Sequence, residues 1–308
     1  MKVRSWPGVP DPISVLGWEL RPNDLVDQSS ARALLRRSND RGINLFAWNG
    51  TAAEERRLWV SGVLPDLDAH LILTRSSRDL ADPVSDRSDA EAWRTGIAST
   101  LPSSHVGGRA APNLWIEWDA RPGETEILRT AVRALQRMVA DGTIEGWGIR
   151  RSSWPRFPTS SELPMFASGT LSLLEPSAVP GTIPDGVPFV ARDVLAGGRL
   201  AGAGALSGPT LQRAPGGPRP IHALSEEMGR VLRFGFLSIR GKRTLGQAAI
   251  RWVLDQPGVA AALAFLPTPE KFDELAGWED TPSLTVEEIA RSRGGSSLAA
   301  GSSGTSLD

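Results

Sequence analysis

Strand-like runs and helical stripes alternate along almost the whole of this chain, and that alternation limits the folds open to it. Short apolar runs bounded by turn residues read as buried strands at 13–18, 43–48, 71–75, 113–119, 144–149, 169–174, 189–195 and 260–266. Helical patterns fall between them, over 27–40, 52–63, 89–101 and 124–141. The stripe is clearest where Leu128, Ala131, Leu135 and Met138 recur at three- and four-residue spacing, and again at Leu245, Ala248, Ala249, Trp252 and Val253. Gly42 and Gly142 stand where helix ends need a residue tolerant of left-handed backbone. Strands and helices alternating over about 250 residues predict a (β/α)8 TIM barrel, with an open doubly wound sheet as the alternative. A single domain is expected over 1–293. Two segments fall outside the rhythm: a Gly- and Pro-rich loop at 204–220, and a flexible Gly/Ser-rich tail at 294–308.

Composition removes several classes of function. The chain is 40% hydrophobic, enough for a full core. Its formal charge of −1 and lack of a basic block give no footprint for nucleic acid or an acidic membrane. With no cysteine, a disulfide scaffold and a thiolate metal site are ruled out. The three histidines, His70, His105 and His222, lie far apart, so no metal site is expected. The first residues lack the apolar core of a signal peptide, and no run is long enough to span a membrane, so a cytoplasmic protein is the expectation. Oligomeric state is left open. Tyrosine is absent, tryptophan occurs 11 times, and lysine only at Lys2, Lys242 and Lys271. The arginine bias suggests a GC-rich bacterial genome.

In parallel β/α folds chemistry gathers at the carboxyl ends of the strands. The stretch Asn113-Leu-Trp-Ile-Glu-Trp-Asp119 ends such a strand with two tryptophans and two carboxylates.

Five segments carry a resemblance to a known family. They are Gly42-Ile-Asn-Leu-Phe46, Leu71-Ile-Leu-Thr74, the run from Leu135 to Gly148, Val194-Leu-Ala-Gly-Gly-Arg-Leu-Ala-Gly202, and Thr244-Leu-Gly-Gln-Ala-Ala-Ile-Arg-Trp-Val-Leu254. In order and spacing the chain resembles the aldo-keto reductases over residues 12–291. The resemblance implies a (β/α)8 barrel that reduces carbonyls with NADPH. It also exposes departures. Where the family has an Asp ending the second strand, this chain has Ala47-Trp48-Asn49; the family's catalytic Tyr has no counterpart; its Lys falls on Arg75 and its His on Trp118. The pair that holds the nicotinamide amide falls on Arg150 and Arg151, the sixth-strand Gln near Ser168, and the stacking Tyr near Leu171. The Arg that clamps the 2′-phosphate is replaced around Pro267-Thr268. Carbonyl reduction needs a proton donor at the forming alkoxide, and neither guanidinium nor indole is a useful one. The resemblance therefore implies a barrel without the reductase's proton-transfer group, and no cofactor is expected.

The replacements suggest a different site. Asp119, Arg75, Trp118 and Glu117 are the catalytic candidates. Trp18, Trp48, Asn49, Arg150, Arg151, Glu175, Arg192 and Asp193 would bind substrate around the mouth, with Glu19 beside them. The resemblance sets Trp118 toward the mouth, where the family has its His; alternation then turns Glu117 toward the helices and makes Asp119 the better proton carrier. Arg75 is expected to point into the pocket as the family's Lys does. The reading that follows is a cofactor-independent catalyst of elimination, isomerisation or cyclisation on a small hydrophobic intermediate of specialised metabolism. The alternatives are a non-catalytic ligand-binding or regulatory protein, and an NADPH-dependent oxidoreductase with an unorthodox donor such as Glu117, Asp119 or Glu175.

Overall fold

In the computed structural model eight parallel strands close into a barrel: β3 (Leu16–Leu20), β4 (Leu45–Trp48), β5 (His70–Arg75), β6 (Asn113–Trp118), β7 (Gly146–Arg150), β8 (Phe166–Thr170), β9 (Phe189–Arg192) and β10 (Val259–Phe265). β10 pairs β3 and so completes the ring. The structure describes all residues except 8, 26, 52–53, 56–68, 81–88, 102–112, 122, 157–162, 177–182, 184–185, 203–220 and 298–308. The helix expected over 52–63, the loop at 204–220 and most of the tail lie outside the described residues.

The described helices are α1 (Gln28–Asp40), α2 (Ala90–Ser99), α3 (Thr125–Ala140), α4 (Ile221–Leu232), α5 (Leu245–Leu254), α6 (Pro269–Ala276) and α7 (Val286–Ser297). Their ends follow local chemistry. Asp27 and Asp89 accept from the first free amides of α1 and α2, and Thr244 with Gln247 forms a reciprocal capping box on α5. Gly42 and Gly142 adopt φ of +74°, as their positions after α1 and α3 require.

Three elements differ from the sequence reading. The sixth barrel strand runs Phe166–Thr170, earlier than the expected 169–174, because Phe166 and Ser168 are the residues that fill the barrel. α7 runs to Ser297, past the boundary expected at 293. An antiparallel pair, β1 (Val3–Arg4) and β2 (Ile13–Ser14), precedes the barrel, too short to leave a periodic signal.

Parallel strands covered by helices must be apolar on both faces, and the core divides accordingly. Inside the barrel Leu45, Ala47, Ile72, Trp115, Phe166, Val190, Ala261 and Leu263 pack with Trp6, Val9 and Ile13. Trp6 stacks 5.3 Å from Trp115, which lies 5.8 Å from Phe166, closing one end of the interior with aromatic rings. Between strands and helices sits a second, larger layer that contains Trp18, Trp48, Trp93 and Trp118.

Candidate functional site

Along β6 the inward positions are Trp115 and Glu117; Leu114, Ile116 and Trp118 face the helices. One step toward the carboxyl end of the barrel the apolar filling therefore gives way to charge. Glu117 is fully buried and takes donors from four other strands. Thr74 Oγ1 (2.8 Å), Arg150 Nε (2.8 Å) and Arg192 Nη1 all donate to its Oε2, and Ser168 Oγ donates to Oε1. Arg192 also donates through Nε to Glu19 Oε1 at 2.6 Å and through Nη1 to Thr74 Oγ1 at 3.0 Å. Asn49 Nδ2 reaches Glu19 Oε2 at 3.4 Å. Two carboxylates and two guanidinium groups thus neutralise one another across the barrel.

The electrostatics follow from this geometry. Burial pushes the Glu117 carboxyl up, but the adjacent Arg150 and Arg192 charges and the bonds from Ser168 and Thr74 outweigh it and hold the group at about 2. For Arg192 burial works against the charge, and Glu117 and Glu19 more than restore it, so its pKa lies above the ordinary guanidinium value. One donor is left over. Arg192 Nη2 is buried and has no partner among the described residues. An unspent buried guanidinium N–H is costly.

Above this layer the rim is less crowded. The Arg150 side chain is 25% exposed. Asp119 is partly exposed and accepts from Ser152 Oγ at 3.2 Å. Asp193 follows β9 with a left-handed φ of +50°, and its carboxylate accepts the Gly197 amide at 2.6 Å. Burial, reinforced by Glu19 and Glu175, pushes the Asp193 carboxyl up to about 7 against the lowering effects of Gly197 and Arg199.

Several expectations are reversed. Glu117 points into the barrel, not toward the helices. Trp118 points away from the mouth and packs edge-on against Trp93 of α2, ring centroids 5.7 Å apart. Arg75 also points outward: its Nη2 pairs with buried Glu55 at 2.6 Å and its Nε donates to Thr100 at 3.0 Å. It serves as a buried link between β5 and the end of α2, not a pocket cation. Trp18 Nε1 donates to Ser38 Oγ of α1, and Trp48 Nε1 to the Thr51 carbonyl, so neither ring lines the mouth. Glu175 is exposed on a bridge to Ser172. Arg151 opens a short 3₁₀ turn, Arg151–Arg156, while Arg150 takes the inward position. The structure brings Asn49, Glu117, Arg150 and Arg192 together with Glu19. Thr74 was missed, and Ser168 entered only as the position of the family's sixth-strand Gln, not as a member of this site.

No family model and no curated protein matches the sequence. Among solved structures the chain is similar to the glycerol dehydrogenase AKR11B4 from Gluconobacter oxydans. The TM-score is 0.69 at 18% identity, covering 99% of this chain and 97% of that one. The fold is the (β/α)8 barrel of the aldo-keto reductase type. At that identity the likeness speaks for the fold alone. No helix among the described residues is long and apolar enough to cross a membrane, and no cluster among them has the groups to hold a metal ion.

Proposed function

We propose that this chain is an enzyme whose barrel mouth holds a small acidic organic molecule and moves protons on it without nicotinamide. The observation that carries the reading is the unspent Nη2 of buried Arg192 beside partly exposed Arg150, a pair of guanidinium groups suited to an incoming carboxylate or enolate. Asp193 supplies the acid/base group, since a carboxyl near 7 can both take and return a proton at neutral pH. In its ionised form it removes a proton from a carbon next to a carbonyl, while guanidinium stabilises the oxyanion. Returning that proton at a neighbouring atom completes an isomerisation; loss of a leaving group from the enolate completes an elimination. The substrate is more polar than the sequence reading expected, because Trp18, Trp48 and Trp118 lie behind the strands.

The residues at the mouth do not fit a nicotinamide dinucleotide. Ser168 is spent on Glu117, and Leu171 is wholly buried in the outer core. Near the start of α6, Lys271 is paired with Glu274, and Glu270 places a negative charge in the first turn. No step here runs through that cofactor. A second reading, a non-catalytic binding protein, draws support from the mutual neutralisation of Glu19, Glu117, Arg150 and Arg192, which resembles a structural plug.

The test is deuterium wash-in at carbon, followed by NMR with a panel of small oxo acids in D2O, alongside a fluorescence titration with NADPH. The expected result is catalysed exchange that falls roughly 100-fold or more in Asp193→Asn and loses affinity in Arg150→Ala. Saturable binding without exchange would favour the non-catalytic reading. Micromolar NADPH binding would overturn the proposal in favour of an oxidoreductase like its structural neighbour.

A further inference from the structure

Away from the mouth, the β1–β2 hairpin and the end of α5 enclose a cavity of about 210 Å³ lined by Lys2, Val3, Arg4, Val15, Arg251, Leu254, Asp255 and Trp278. Arg4 donates through Nη1 to the carbonyl of Val259, the first residue of β10, which fixes the cavity beside the strand's amino end. Three of the lining residues are cations and one is an anion. Helix ends of this polarity attract cations, which accounts for exposed Lys2 and Arg4 being tolerated here. It does not account for Arg251.

Arg251 is only 6% exposed. Its Nη2 donates to the carbonyls of Trp278, Glu279 and Thr281, and its Nη1 to Ser283 Oγ, so the group holds the 278–283 segment in place. Its Nε is nevertheless buried without a partner, and so is Nε1 of Trp278. Both atoms are buried too completely to reach an acceptor in the cavity, whose pull on an anion comes from three cations set against the single Asp255 carboxylate. The Trp278 ring lies 5.5 Å from Lys2 Nζ and 5.3 Å from the Arg251 guanidinium carbon, and Val3, Val15 and Leu254 supply apolar wall. The volume is below that of a drug-sized pocket, which runs from roughly 300 Å³ upward.

We infer that this cavity is a second binding site, separate from the barrel mouth, for a small organic acid. The carboxylate meets Arg251 and the Lys2 and Arg4 charges, and the apolar body lies on Val15, Leu254 and the indole of Trp278. A free phosphate could use the cations but gains nothing from the apolar wall, so the site prefers a carboxylate with a compact apolar body.

The experiment is calorimetric titration of the whole chain with benzoate and with inorganic phosphate. Benzoate is expected to bind this cavity at roughly millimolar affinity or better, weakening as salt is added. Phosphate is expected to bind about tenfold more weakly, the loss of an apolar contact of about 1.4 kcal/mol. Arg251 is unsuitable for substitution because it also holds backbone. Val3→Glu, at a half-exposed rim position, is expected to abolish binding, and Lys2→Ala to weaken it about fivefold through a lost ionic contact. Arg150→Ala should leave it unchanged. The inference is overturned if wild type shows no saturable benzoate binding, if phosphate binds as well as benzoate, or if Arg150→Ala loses binding that Val3→Glu retains.

Discussion

Replacing Glu117 with glutamine removes the charge on which the carboxyl end of the barrel is built while keeping its shape. Arg192 retains Glu19 at 2.6 Å, but Arg150 loses the carboxylate held by its Nε. A carboxyl held at about 2, against an ordinary 4.5, favours the folded state by roughly 3 kcal/mol at neutral pH. Breaking a buried pair from one side costs about 3–5 kcal/mol by comparison with other proteins, so the two routes agree. Glu117→Gln is therefore expected to lose about 3–4 kcal/mol at pH 7, a fall in Tm of roughly 5 °C for a chain of this size.

The sign with pH sharpens the test. Because the folded pKa is depressed, wild type holds this stabilisation above pH 4.5 and loses it as pH falls toward 2. The variant has no such carboxyl, so the gap between the two proteins should narrow over that window. Urea unfolding at stepped pH measures it. A loss below about 1 kcal/mol at pH 7, in the range of an exposed pair, or a gap independent of pH, would refute the account of a tightly coupled buried network. A control strengthens it: Glu117→Leu with Arg150→Leu removes one charge of each sign, leaves Glu19–Arg192 balanced, and should recover most of the loss.

Three further outcomes separate structure from function. Arg75→Met should cost about 3–5 kcal/mol in chemical denaturation by taking the guanidinium away from buried Glu55, with no change in ligand affinity at the mouth. Trp118→Ala should cost about 3–5 kcal/mol by opening a cavity against Trp93, and soluble variant should keep its ligand affinity; a selective loss of binding would return Trp118 to the site. Asp193→Asn should raise stability by about 1–3 kcal/mol at pH 8. The wild-type carboxyl, raised to about 7, loses its contribution as pH climbs from 3.8 through 7, whereas asparagine stays neutral and accepts the left-handed backbone. Melting curves at pH 5 and pH 8 report the difference.

The barrel was readable because most of its strands and its most amphipathic helices announce themselves locally: Leu128 to Met138 needs no knowledge of the rest of the chain. The site was only half readable, and β6 shows why. Alternation says that Glu117 and Trp118 face opposite ways, but not which faces the helices. Setting Trp118 inward followed from matching it to a catalytic residue of the family. What overrules this is non-local. Glu117 can sit inside because Arg150, Ser168 and Arg192, 33, 51 and 75 residues away, converge on it, and Thr74 reaches it from the other side. Outside, Trp118 meets the matching surface of Trp93. The same logic turned Arg75 outward, where Glu55 and Thr100 were waiting, and it could not be read from one strand at a time.

The convergence also restricts the chemistry. Glu19 and Glu117 cancel Arg150 and Arg192, so the layer as a whole offers an arriving anion no net attraction. What it offers is direction: Arg192 Nη2 is unspent, and the Arg150 head is partly exposed while its Nε is anchored. Donors fixed by buried partners lose little freedom on binding, which favours a short, oriented carboxylate over a long flexible one. A neutral layer also keeps Asp193 high. Were Arg192 free of Glu19, its charge would stabilise the Asp193 carboxylate and draw its pKa down, away from neutrality. The internal ion pairs thus leave Asp193 governed by burial and by its acidic neighbours, and the network that builds the barrel end is what allows the rim carboxyl to exchange protons near pH 7.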